Sequence, residues 1–165
     1  MRLLRILLLT ALVGGPLLAI ASGLGLLNHR TGQSIEDLGS PAVAKALAER
    51  AAAMVRDEGR EKALKEISDP KSELVQGSLY VFAMSLNGTM LANPHHPKLI
   101  GKSFLSERDF NGVAYGRELV NTARTDSVGW VDYIDTEPMS HKLRRKSTYV
   151  LRVDNMFVAC GYYMK

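Results

Sequence analysis

The run Leu79-Tyr80-Val81-Phe82-Ala83-Met84-Ser85, followed by Asn87-Gly88 and then Met90-Leu91-Ala92, reads as a β-hairpin. Its first arm is built from strand formers, and Asn-Gly is the strongest short turn signal between two strands. Upstream the period changes. Ser40-Pro41 offers an N-cap and a first helical residue, and Val43, Leu47, Ala51, Met54 and Val55 recur at helical steps. Gly59 marks a break, Ala63, Leu64 and Ile67 continue as a shorter helix, and Asp69-Pro70 ends it. Downstream, Asn93 to Phe104 is a long loop carrying Pro94, Pro97 and Gly101. Asn111-Gly112 precedes an amphipathic helix over about Ala114 to Arg124. Trp130 to Ile134 and Ser147 to Val153 read as the third and fourth strands, and Asp154-Asn155 turns the chain into the fifth, Met156 to Tyr163.

Hairpin-linked strands with segregated helices predict an α+β fold with an antiparallel sheet. The order of elements is that of a PAS-like domain: a five-stranded sheet, a long N-terminal helix on one face, and a helical and loop excursion after strand 2 that roofs the other. A roofed sheet face is a pocket.

The chain has 165 residues, net charge +4 and a single cysteine. Two of its basic residues, Arg2 and Arg5, open the chain ahead of an apolar run from Ile6 to Val13. Gly14-Gly15-Pro16 interrupts that run, and Ala19-Ile20-Ala21 supplies small residues for a signal peptidase. Residues 1–21 are therefore expected to be a cleaved signal peptide and residues 22–39 a spacer. A single domain of 40–165 then acts in the periplasm or elsewhere outside the cytoplasm. The alternative is an uncleaved inner-membrane anchor to Leu27, the one case in which the chain would meet a membrane. No Lys/Arg stripe with interleaved aromatics is left to suggest nucleic acid. Cys160 is alone, so no intrachain disulfide forms.

From Val43 to Tyr163 the sequence resembles the single Cache sensor family. The parts appear in family order: Glu58-Gly59-Arg60-Glu61-Lys62-Ala63, Tyr80-Val81-Phe82, Asn87-Gly88-Thr89-Met90-Leu91-Ala92 and Pro97-Lys98-Leu99-Ile100-Gly101-Lys102. Asp109 and Gly112, Gly129-Trp130-Val131-Asp132-Tyr133, Lys146-Ser147-Thr148-Tyr149-Val150 and Gly161-Tyr162 complete the set. Asn93-Pro94 stands where the family often has His-Pro, and Arg145 stands where a proline often precedes the lysine. The resemblance implies a periplasmic ligand sensor of the kind found on chemoreceptors and histidine kinases, several of which bind small organic acids. No methyl-accepting helix or kinase domain is expected to follow the domain. The signal is expected to pass to a partner such as a membrane sensor kinase, chemoreceptor or transporter.

Within that pattern Lys146 offers a cation and Tyr149 a phenol donor for a small organic anion, with Trp130 and Tyr133 as walls. His96 is a candidate pocket residue. Each has a plainer reading: Lys146 a solvated strand-end lysine, Trp130 a core residue, Arg108 an ion pair with Asp109 instead of a ligand contact. Parity also matters, because Lys146 and Tyr149 are three apart, as are Trp130 and Tyr133, and a regular strand turns such pairs to opposite faces. The sequence has no Gly-x-Ser-x-Gly elbow, phosphate-cradling glycine loop or zinc-protease motif, so no catalytic residue and no cofactor are expected. His95-His96 lacks a nearby Cys or Glu at zinc-like spacing. A metal-dependent hydrolase using those histidines, or a partner-binding module with a filled cavity, are the competing functions.

Overall fold

The computed structural model describes residues 39–164. The expected signal peptide, its cut after Ala21 and the spacer as far as Leu38 lie outside the described residues. Helix α1 (Pro41–Glu58) begins where Ser40 accepts the Val43 N–H on its hydroxyl at 3.3 Å, with Pro41 at the first helical position. Its buried stripe is Ala44, Leu47, Ala48, Ala51, Ala52 and Val55. The alanines bring the helix axis close to the sheet. Val43 and Met54, expected in the stripe, sit at its partly buried edges. Gly59, at φ 88° and ψ 153°, separates α1 from α2 (Arg60–Ile67) in a conformation open essentially to glycine alone.

All five expected strands are present, and a sixth, short one joins them. They are β1 (Val75–Gln76), β2 (Leu79–Ser85), β3 (Met90–Ala92), β4 (Val128–Thr136), β5 (Leu143–Val153) and β6 (Met156–Tyr163). The antiparallel order is β1-β2-β6-β5-β4, with β3 also pairing β2. Strand β2 lies inside the sheet and is covered on both faces, so Leu79 to Met84 are all buried. That explains why the sequence there is a continuous apolar run and not an alternating one.

The two faces carry separate cores. Tyr149, Val153, Val81, Ala83, Val158 and Cys160 pack with α1 and α2. Tyr80, Phe82, Met84, Val150, Phe157 and Ala159 face the other way, toward α3 (Tyr115–Thr125). Helix α3 covers its side of the sheet with Leu119, Val120 and Ala123. The loop before α3 is pinned to the edge strand by Asp109, whose carboxylate accepts the N–H groups of Ile134 at 2.9 Å, Asn111 at 2.9 Å and Val113 at 2.8 Å.

The β4–β5 turn is held by another carboxylate. Glu137 is buried and accepts from the backbone of Met139 at 2.9 Å and Ser140 at 2.8 Å, and from the hydroxyl of Ser78 beside β2. Burial alone would raise its pKa, but these hydrogen bonds hold the carboxyl down to about 2. A depressed carboxylate stabilises the fold above its unfolded pKa near 4.5 and loses that contribution as pH falls toward 2. Glu137→Gln is therefore expected to lower the melting temperature at pH 7 and to make no difference near pH 2. A constant deficit across that range in thermal unfolding would contradict this account.

Candidate functional site

Between the second sheet face and its roof lies a cavity of about 280 Å³. Phe82, Met90, Leu99, Phe104 and Leu119 give it apolar walls, while Tyr80, Asn93, His96, Glu107, Tyr115, Tyr133 and Asp135 bring polar atoms to it. Behind this lining, at the floor, sits Lys146. The β4–β5 register sets Lys146 opposite Tyr133, and the β5–β6 register sets it opposite Tyr163. Its stem crosses Gly161, where an added Cβ would lie 2.5 Å from Lys146 Cε. The missing side chain lets the ammonium reach β2, where Nζ donates to the Tyr80 hydroxyl at 3.1 Å.

Lys146 is 1 % exposed. An isolated ammonium there would lose its proton. Instead Nζ donates to Asp135 Oδ2 at 2.9 Å and lies 4.5 Å from the ring centre of Tyr80 and 4.9 Å from that of Tyr163. Burial works against the charge, but Tyr133, Tyr80, Asp135 and Tyr163 together raise the pKa well above the ordinary lysine value. The phenols hold one another in place. Tyr133 shares a 3.0 Å hydrogen bond with Thr148, and burial pushes its pKa up to about 12. Tyr163 donates to the Thr136 carbonyl at 3.0 Å. Tyr115 stacks on Tyr133 at 4.4 Å between ring centres, and its phenol is also raised by burial. A charged, hydrogen-bonded floor under an aromatic chamber suits a small polar ligand.

The profile of the Single Cache domain 2 family matches residues 42–165. The chain belongs to this family. Among solved structures, a periplasmic sensor domain of a chemotaxis protein is 28% identical with TM-score 0.60, covering 75% of this chain and 90% of that one. A methyl-accepting chemotaxis protein from Vibrio parahaemolyticus is 18% identical with TM-score 0.62, covering 73% and 85%. A Cache chemosensory domain described for carboxylic acid recognition is 22% identical with TM-score 0.60, covering 75% and 88%. The last two likenesses concern the fold. No curated protein sequence matches the chain.

This Cache domain brings together some of the residues expected from sequence and separates others. Tyr133 lines the cavity, Lys146 sits behind that lining in register with it, and His96 lies at the exposed rim. Trp130 and Tyr149 fall on the opposite face of the sheet, as parity requires for residues three positions from Tyr133 and Lys146. They pack together there at 5.1 Å, with Tyr162 beside Trp130. Neither lines the cavity: Tyr149 is part of the α1 core, whereas Trp130 is half-exposed beside it and is not a core residue. Arg108 is exposed and donates to the Gly112 carbonyl at 2.7 Å, while Asp109 takes backbone N–H groups, so the ion pair does not form, and Arg108 is not among the residues lining the cavity. Lys146 is not a solvated strand-end lysine either, since β5 begins at Leu143. His95 packs its ring edge-on against Tyr80 at 4.7 Å, and burial followed by the charges of His96 and Lys146 lowers its pKa. Among the described residues no group of His, Cys, Asp or Glu is placed to hold a metal, and no helix is long and apolar enough to cross a membrane.

Sequence reasoning missed Tyr80, Asp135, Tyr163 and Asn93. Parity carried a signal for two of them: Asp135 shares the face of Tyr133, two residues earlier, and Tyr80 shares the face of Phe82. Tyr163 enters only through the β5–β6 register, and Asn93 only through the loop that follows β3.

Proposed function

We propose that this Cache domain is an exported sensor module that binds a small carboxylate in the cavity and passes the event to a membrane partner such as a chemoreceptor, sensor kinase or transporter. The buried Lys146 ammonium carries the reading. Two of its three N–H directions go to Tyr80 and Asp135, and Tyr80, accepting from Lys146, keeps its own O–H to donate. An acid oxygen at the floor takes these donors and competes with Asp135 for the charge. The carboxylic acid recognition described for the Cache chemosensory domain supports the same chemistry by likeness, and the leader of residues 1–21 supports a periplasmic location. We read the domain as a binder and not an enzyme. Cys160 is fully buried with its thiol pushed up to about 12, and the polar groups of the floor hold one another without a free nucleophile.

Ligand size limits affinity. At a ceiling of about −1.5 kcal/mol per heavy atom, a four-atom acid reaches about −6 kcal/mol, a dissociation constant of tens of micromolar at best. A thermal-shift screen of small acids, amines, amino acids and purines at millimolar concentration tests the reading. A small acid is expected to raise the melting temperature, Lys146→Met to abolish the shift, and Lys142→Ala on the β4–β5 turn to leave it intact. Stabilisation by amines or neutral compounds alone would remove the carboxylate assignment.

A further inference from the structure

Asn93 leaves β3 at the edge of the cavity and is 4 % exposed. Its side-chain oxygen accepts two backbone N–H groups, from His95 at 3.0 Å and from His96 at 2.9 Å. Two donors converging on one atom identify that atom as the oxygen, because the amide nitrogen has no lone pair to offer them. The NH2 end of the side chain therefore points away from the turn. Among the described residues, nothing accepts from it. It is not sealed in the interior, since the only buried side-chain nitrogen or oxygen without a partner among those residues is His95 Nε2. The open space that Asn93 borders is the cavity.

A donor held by a turn at the lining of the cavity is a feature that folding alone does not require. The turn needs only the oxygen, and an aspartate would supply it equally well. We propose that Asn93 is a ligand-binding residue whose Nδ2 donates to an oxygen of the bound molecule, so that the site takes ligands presenting an acceptor at that position. The inference rests on the carboxylate reading above and adds direction to it. Lys146 is a point charge with rotatable donors, whereas the Asn93 amide is planar and fixed. The Tyr80 hydroxyl, which lines the same cavity, is a second neutral donor, so a ligand acceptor finds donors there in addition to the lysine.

The test uses the purified full chain and whichever of acetate, propionate, lactate, pyruvate or succinate stabilises it most. Asn93→Asp keeps the oxygen that holds the His95 and His96 N–H groups and replaces the donor with an acceptor. Its melting temperature without acid is expected to stay near that of the unchanged protein, while the acid binds at least about tenfold more weakly. Unchanged affinity would overturn the assignment, and a fall in acid-free stability with full affinity would reduce Asn93 to a turn residue. The added charge of aspartate can itself repel an acid, so a second measurement uses the unchanged chain. In a nitrogen-15 correlation spectrum, the side-chain NH2 pair of Asn93 is expected to shift on adding the acid. An acid that binds without moving that pair refutes the role of Asn93 and leaves the carboxylate reading standing. If no acid binds the unchanged protein at all, both fall together.

Discussion

Asp135→Ala is expected to cost the domain about 3–5 kcal/mol in urea unfolding at pH 7, and more than Lys146→Met. The two partners of the buried pair are not equivalent. Lys146 is 1 % exposed on its side chain and Asp135 34 %. Without Asp135, the ammonium keeps Tyr80 as a hydrogen-bond partner but loses its counter-charge, which a neutral water entering from the cavity does not restore. Without Lys146, the carboxylate of Asp135 still accepts from the Thr136 N–H at 2.8 Å and is hydrated through the cavity, while methionine fills the vacated volume. The pH dependence separates this account from simple loss of packing. In the unchanged protein the raised pKa of Lys146 stabilises the fold at neutral pH, and that contribution fades as pH rises through the folded value. In Asp135→Ala one of the groups that raise the lysine pKa is gone while burial still opposes the charge, so this stabilisation is smaller and fades at a lower pH. Equal costs for the two substitutions, or parallel pH profiles, would refute the argument.

Gly116→Ala is expected to destabilise by about 3 kcal/mol or more and to abolish ligand binding together with it. The added Cβ would stand 1.8 Å from the Phe104 carbonyl oxygen and 2.8 Å from its carbon. Both obstacles are backbone, so no side chain can swing aside. Relief requires the start of α3 to separate from the segment carrying Phe104, and those two pieces are the roof of the cavity. Gly101→Ala is the control. Its φ of 85° disfavours any side chain, but an added Cβ meets nothing within 4 Å, so a loss of only about 1–2 kcal/mol is expected. A Gly116→Ala protein that melts close to the unchanged one would show that the roof is loosely held.

The parts of the fold that were legible in the sequence are those with a local cause. Ser40-Pro41 starts α1, Asn87-Gly88 turns β2 toward β3, and Asp154-Asn155 joins β5 to β6. Strand β1 was not legible, because two residues carry no period and their pairing with β2 depends on the turn at Gly77-Ser78. The site divides along the same line. Tyr133 and Lys146 were visible as chemistry, but the company they keep depends on register across three strands, which no local pattern encodes. Trp130 and Tyr149 were drawn to the ligand by their chemistry, and the alternation of side chains along β4 and β5 places them on the other face. The charge balance of the floor was hidden for the same reason, since Asp135 reads as an ordinary strand-end acid until the sheet brings it against Lys146.

The aromatic group on the α1 face has an optical consequence. Trp130 is the only tryptophan in the chain, and it sits 5.1 Å from the ring of Tyr149 and 5.8 Å from that of Tyr162, 41 % exposed. The protein's brightest natural chromophore is thus on the reverse of the sheet from the chamber. Its emission colour reports how that outer aromatic cluster meets solvent beside α1, and a ligand filling the chamber reaches it only by bending the sheet between them.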